Sequence, residues 1–412
     1  MIHTQQADSA NPPILIPLLS SFHSPLLPAL LRRFNINGII LPEPDSESEQ
    51  LGLRYVNNDI CYPAILVVGD ILKALFSGKY ERTTITVGIS QTGGQCRLST
   101  YKEIIEDALQ AAGFQDIPVV SLAFSVKGSG NTKHAKKAIK FGTFSMLHAM
   151  HRTLLLGDAL MTMYCAMAVR EKHAGESEAL LARYIQLAQH ITSDKAILDL
   201  LSKAIADFNA VEEKSYTHIP KIGVVGEIYV KLCPHANRHI YKWLIERGVH
   251  PVVANSSYFM PQMLVNKKIN HDQRLLFLSG IQRLALALIQ KQLTNNIATF
   301  DACLKGFRYY WPMHDLQNTL PEVSTILDPI QQAGEGWLIA SEILGFSKAG
   351  VHTIVCLQPF GCLANQVSAK GIEAGLKKKD PRLNIVYLDL DYNTCEANYF
   401  NRLQMVIDNP GI

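Results

Sequence analysis

The spacing of apolar positions changes twice along the chain and divides it into three textures. Over the first 130 residues, short runs rich in β-branched residues alternate with stretches of helical period. ILIPLL (14–19), GIILP (38–42), TTITVGIS (83–90) and IPVVSLAF (117–124) read as buried parallel strands. PLLPALLRRF, AILVVGDILKALFSGKY and YKEIIEDALQAAGF read as the helices among them. From 132 to 214 there is no proline and the pattern is helical throughout. At Pro220 the strand signal returns with KIGVVGEIYV (221–230), a helix over about 237–247 and HPVVANSS (250–257). A helical block over about 260–350 follows, then TIVCLQPF (353–360), a helix through Leu376, NIVYLDLD (384–391) and a last helix ending near Ile407.

Alternating strand and helix signals predict βαβ units and parallel sheets. The expected fold is α/β, with two Rossmann- or flavodoxin-like lobes and helical insertions. The first lobe covers 1–130 and carries Cys61 and Cys96, a helical insert covers 131–218, and the second lobe covers 219–412 and carries Cys362. A chain of 412 residues is long enough for such a division, and no short repeat or low-complexity stretch argues against it.

Composition narrows the setting. An apolar fraction of 48% with 18% charged residues is globular rather than disordered. A formal charge of +3 gives no reason to expect a nucleic-acid or membrane partner. The stretch MIHTQQADSANPP lacks the apolar core of a signal peptide, and no apolar run reaches the length of a membrane span. A soluble, cytoplasmic protein is expected. Eight cysteines in a reducing compartment then serve as thiols, metal ligands or apolar filler, and none of them forms a CxxC pair.

Three cysteines stand in turns before helices. Cys61 precedes Tyr62 and Pro63, Cys96 follows Gly93 and Gly94, and Cys362 follows the turn Gln358-Pro359-Phe360-Gly361. The carboxyl edge of an open α/β sheet is where such folds place ligands, and glycines allow a bulky inorganic group to approach the backbone. Three thiols from three strand-to-helix turns are what a cysteine-ligated cluster requires. The spacing by itself favours three ordinary half-buried thiols over a shared metal site.

The strings VNNDICYPAILVVGD, QTGGQCRLSTY, VVGEIYVKLCPHANRH, CLQPFGCLANQ and DLDYNTCEANYFNRLQMV resemble the carboxy-terminal part of large proteins related to 2-hydroxyacyl-CoA dehydratase activases. More distantly they are similar to the catalytic subunits of 2-hydroxyacyl-CoA dehydratases, to benzoyl-CoA reductases and to double-cubane cluster proteins. That resemblance implies a 4Fe-4S cluster, or a double-cubane 8Fe-9S cluster, held between the lobes by Cys61, Cys96 and Cys362. The intervals here, 35 and 266 residues, follow the short-then-long spacing of the dehydratase subunits. It further implies electrons from a separate ATP-hydrolysing activator with its own cluster, and a small substrate such as an acyl-CoA that is dehydrated or reduced. A homo- or heterodimer is implied as well. The alternative is a non-catalytic electron-transfer or scaffold subunit. The sequence holds no GxxxxGK[ST] string and no GxGxxG after a strand, so ATP hydrolysis is assigned to the activator.

Other residues carry weaker signals. Glu227, directly after an apolar strand, is a candidate proton donor or acceptor and equally a helix cap. Arg97 is a candidate to offset cluster charge or grip a phosphate or carboxylate, or to form a surface ion pair. Gln358 and Asn365 are candidates to donate hydrogen bonds to cluster sulfurs. Cys356 reads as core, Cys165 and Cys303 as filler, Cys395 as a reserve ligand, and Cys233 as a departure from the family pattern. Cys233, His235 and His239 lack a fourth ligand for zinc, and His148 with His151 reads as a packing pair.

Overall fold

The fold is seen in a computed structural model that describes residues 12–91, 95–121, 144–216, 218–313 and 316–409. Among the described residues, eight strands form two separate four-stranded sheets, parallel throughout. The first contains β1 (Ile14–Ile16), β2 (Gly38–Ile40), β3 (Thr86–Ile89) and β4 (Val119–Ser121), in the order β2-β1-β3-β4. The second contains β5 (Lys221–Gly226), β6 (His250–Val253), β7 (Thr353–Pro359) and β8 (Asn384–Leu390), in the order β6-β5-β7-β8. Both sheets therefore repeat one doubly wound pattern. Each reverses its strand order once, between β1 and β3 and between β5 and β7, and the crevice beyond the carboxyl ends of such strands is where α/β proteins bind ligands.

Every predicted strand has its counterpart, with one correction that matters for the site. The 221–230 strand ends at Gly226, and Ile228–Leu232 is a short helix capped by Glu227. A second finding is the helix Ser46–Tyr55, which the alternation of strand signals did not reveal. Asp45 begins it by accepting the amides of Glu47 and Ser48, both at 3.1 Å. It crosses Tyr62–Phe76 at close range. A Cβ on Gly69 would stand 1.7 Å from the Ser48 carbonyl oxygen, so only glycine admits the crossing.

The helices Phe144–Ala168, Glu176–Ala188 and Asp194–Ala210 form a helical layer with its own core of Leu155, Met163, Leu201 and Phe208. Another apolar cluster contains residues of both sheets, from Leu15 and Val87 to Val224, Leu357 and Leu388. Burial on this scale, at about 25 cal/mol per Å² of apolar surface, is the main force holding the sheets together. A polar contact adds direction. Asp158 of the long helix accepts His23, from the turn after β1, at 3.0 Å, and the amides of Ser256 and Ser257, after β6, at 2.9 and 3.0 Å. All four side chains are buried. Among the described residues, no helix is long and apolar enough to cross a membrane.

Candidate functional site

Cys96, Glu227 and Cys362 follow β3, β5 and β7, the strands at the two reversal points. Each is the cap residue of the helix it precedes, in extended conformation, and so is Cys61. Cys61 does not lie in a strand-to-helix turn as the sequence suggests. The helix Ser46–Tyr55 intervenes after β2, and Cys61 sits between two helices whose tight crossing carries it to the sheet edge.

Electrostatics show that these loops converge. The carboxylate of Glu227 acts on the thiols of Cys61, Cys96 and Cys362, and Cys61 acts on Cys96. A second carboxylate, Glu335, acts on Cys96 and Cys362. Burial pushes the Cys61 thiol up, Cys96 to about 11 and Cys362 to about 12, and the neighbouring carboxylates add to the shift. Each of the three cysteines is half-buried and free of disulfide. Protein groups also reach the sulfurs directly. The Tyr101 hydroxyl lies 3.1 Å from the Cys61 sulfur, and Asn365 Nδ2 donates to the Cys362 sulfur at 3.3 Å.

Glu227 Oε2 accepts the Val230 amide at 2.7 Å, and Glu335 Oε1 accepts the Ile228 amide at 2.9 Å. The two carboxyls thus share one short helix start. Burial first, then the charge of Glu335, raises the Glu227 carboxyl well above the ordinary carboxylate range, although part of the residue still reaches the surface. Burial raises Glu335 too, against its amide contacts and Lys231. Behind them Lys231 stands 3.7 Å from Glu342, both buried. Such a pair can hold a proton next to the thiols near neutral pH.

The remaining sequence candidates fall as follows. Arg97 is exposed and donates to the Asp59 carbonyl, which ties the Cys96 loop to the Cys61 loop; it makes no ion pair among the described residues. Gln358 spends its amide N–H on Asp389 and not on a sulfur, because its side chain is buried beside β8, and its Oε1 has no partner among the described residues. Asn365 Oδ1 likewise has none. Gly93 and Gly94 lie outside the described residues. Cys356 and Cys165 are buried, Cys395 is exposed at the start of Glu396–Asp408, and Cys233 is buried. His235 contacts Glu49 at 3.0 Å and His239 approaches Glu43 at 3.6 Å, so these histidines face carboxylates and not Cys233. His148 contacts Asp194, also at 3.0 Å.

Glu335 and Tyr101 are the site residues that motif reading missed. An acid flanked by glycines, Gly334 and Gly336, was the available signal for Glu335; Tyr101, in an ordinary amphipathic helix, offered none. A cleft of about 340 Å³ lined by Lys348, His352, Asp380 and Arg382 opens at the other end of β7 and β8. Within it Arg382 lies 2.9 Å and His352 Nε2 3.5 Å from Asp380, and it opens at the end of β7 opposite to Cys362.

Among the described residues, no three His, Cys, Asp or Glu side chains stand close enough to share one metal ion. A cubane does not ask for that, since each thiolate binds a different iron. Three free thiols at helix starts match such a group in donor chemistry, while burial and the neighbouring carboxylates hold each of them as the neutral thiol. A scan against protein-family models finds no match to this chain, and a search of curated proteins finds none either.

Proposed function

We propose that the chain is an iron–sulfur protein of the 2-hydroxyacyl-CoA dehydratase type, with Cys61, Cys96 and Cys362 holding the cluster in the crevice between the two sheets. The observation that carries this reading is the shared electrostatic neighbourhood of three helix-capping thiols from distant parts of the chain. When bound, a cluster of this kind supplies one-electron chemistry at low potential. Low-potential electrons come from a separate ATP-hydrolysing activator, and a small substrate such as an acyl-CoA is dehydrated or reduced.

The chain's own residues have distinct tasks in this reading. Asn365 and the Tyr101 hydroxyl donate to the cysteine sulfurs and tune them. Arg97 keeps two cysteine loops in register through Asp59. Glu227, with Glu335 beside it, holds a proton at the crevice for delivery to or removal from the substrate. Phe360 and Leu363 expose apolar side chains on either side of Cys362, which suits an opening covered by an incoming substrate or activator.

The test is purification without oxygen, with visible absorption, iron and sulfide measured on wild type and Cys96→Ser. Broad absorption with about four irons per chain, or about eight for a double cubane, collapsing in the variant, is expected. Iron-free wild-type protein that resists reconstitution under reducing conditions removes the assignment.

A further inference from the structure

Charge is not spread evenly over this chain. Between Pro261 and Phe300 five cations, Lys267, Lys268, Arg274, Arg283 and Lys291, stand against the single acid Asp272, a net charge of +4. The whole chain carries +3, so everything outside this stretch sums to −1, and the near-neutral total conceals a local excess. Among the described residues none of the five pairs with a carboxylate.

The excess sits on a helical hairpin whose apolar residues face outward. The helices Phe259–Asp272 and Gly280–Leu304 are joined by the turn 273–279, and that turn is held in shape. The amides of Leu275 and Leu276 donate to the Asn270 carbonyl at 2.7 and 3.0 Å, and the Leu278 amide donates to His271 Nδ1 at 3.3 Å. Ser279 Oγ accepts the Gln282 amide at 3.3 Å and Gln282 Oε1 accepts the Ser279 amide at 2.9 Å, a reciprocal cap on the second helix. The far half of that helix is anchored by buried Leu293, Phe300 and Leu304. The turn and the near half are open. Phe277 in the turn is 85% exposed, and on the helix Ile281 is 82%, Leu284 63% and Leu288 57% exposed. At about 100° per residue these three helical positions form one stripe, with Lys291 at its border and Arg283 on the flank. Arg274 stands beside Leu275 in the turn, and all three of these cations are exposed. With Leu275 and Leu276 the apolar residues present on the order of 700 Å², where the largest patch of a typical monomer is about 300–600 Å².

An exposed apolar edge flanked by unpaired cations has a definite complement, apolar within and anionic at its rim. A second copy of the same face does not supply it, since that sets cation against cation with no acid between Asp272 and Asp301 to relieve them. A fluid lipid surface does, and it needs no shaped pocket to receive the turn. Neither helix is long and apolar enough to cross a membrane, so the hairpin rests on such a surface and does not span it.

We propose that this hairpin is a peripheral attachment site for an anionic lipid surface. Leu275, Phe277, Ile281, Leu284 and Leu288 enter the boundary between headgroups and acyl chains, and Arg274, Arg283 and Lys291 meet the lipid phosphates and carboxylates. The inference is independent of what the cysteines bind. The full chain is mixed with phosphatidylcholine vesicles containing about one quarter phosphatidylserine, or with phosphatidylcholine vesicles alone, and bound protein is measured by co-sedimentation. Wild type is expected to bind the anionic vesicles at least about tenfold more tightly, and to be released by salt at about 0.5 M. Arg274→Gln/Arg283→Gln/Lys291→Gln is expected to lower that affinity on the order of 100-fold, at about fivefold per cation. Phe277→Ser/Ile281→Ser keeps every charge and is expected to lower it at least about tenfold. All five side chains are exposed, so circular dichroism and thermal midpoint remain those of wild type. Wild type that ignores the anionic vesicles overturns the proposal, as does equal binding to both kinds of vesicle or binding that survives Phe277→Ser/Ile281→Ser. Retention on immobilised polyglutamate without vesicle binding overturns it in favour of an acidic protein partner.

Discussion

Removing the Asp158 carboxylate tests how the layers are joined. Its oxygens accept His23 Nε2 at 3.0 Å, Ser256 N at 2.9 Å, Ser256 Oγ at 3.0 Å and Ser257 N at 3.0 Å, and all of these groups are buried. Asp158→Ala leaves the amides of Ser256 and Ser257 without an acceptor and removes one of the two contacts of His23 Nε2, which keeps Ser256 Oγ at 3.1 Å. A hydrogen bond to a charged group contributes about 1.5–3 kcal/mol, and loss of one member of a buried charged cluster costs about 3–5 kcal/mol. The expected destabilisation is about 4 kcal/mol, read from urea unfolding followed by circular dichroism. Ser256→Ala is expected to cost only about 1 kcal/mol, because the Ser256 amide still reaches Asp158. In the Asp158→Ala background it should cost less still. Burial acts to raise the Asp158 carboxyl, but the His23 contact and the Ser257 amide outweigh it and hold the carboxyl below its ordinary 3.8. Its contribution is therefore fully present above that value and is lost as the pH falls through it towards the folded value. The stability gap between wild type and the neutral isostere Asp158→Asn should narrow below about pH 4. A cost for Asp158→Ala under about 1 kcal/mol, or a gap unchanged by acid, refutes the reasoning.

Gly157→Ala would put a Cβ 2.3 Å from the His23 ring, and is expected to cost about 1–3 kcal/mol in the same unfolding assay while leaving helix content unchanged. Asn365→Ala removes the donor to the Cys362 sulfur. Anaerobic redox titration should show a more negative potential at full iron content, and an unchanged potential would show that the contact does not tune the site. Burial, opposed by Lys231, raises Glu342 from 4.5 to about 7, so its neutral form favours the fold below 4.5 and this advantage disappears as pH rises through 7. Glu342→Gln should flatten the decline in stability over that window, and parallel wild-type and variant curves would contradict the shift.

Strand positions were legible because burial leaves a local mark. β3, β7 and β8 are runs of β-branched and apolar residues, and such runs read alike wherever they stand in a parallel sheet. The helix Ser46–Tyr55 escaped because it is mostly polar and short in apolar periodicity; its start signal was the Asp45 cap, not a hydrophobic face. That omission misplaced Cys61 as a strand-to-helix turn. Cys96 and Cys362 were placed correctly after strands, since both strand and turn are written within about ten residues of each thiol.

The amino-acid sequence alone determined the α/β rhythm, the helical middle, and the positions of the cysteines that stand just before helices. Only the tertiary structure decided that the strands order themselves twice as β2-β1-β3-β4 and β6-β5-β7-β8, that Cys61, Cys96 and Cys362 share Glu227 as a neighbour, and that Cys96 and Cys362 share Glu335 as well. It likewise decided that His23, Asp158 and Ser256 meet across 233 residues of chain. The physical reason is range. Periodicity and capping are set by neighbours within a turn or a strand, whereas strand order and convergence depend on packing between segments hundreds of residues apart, whose partners no local pattern names.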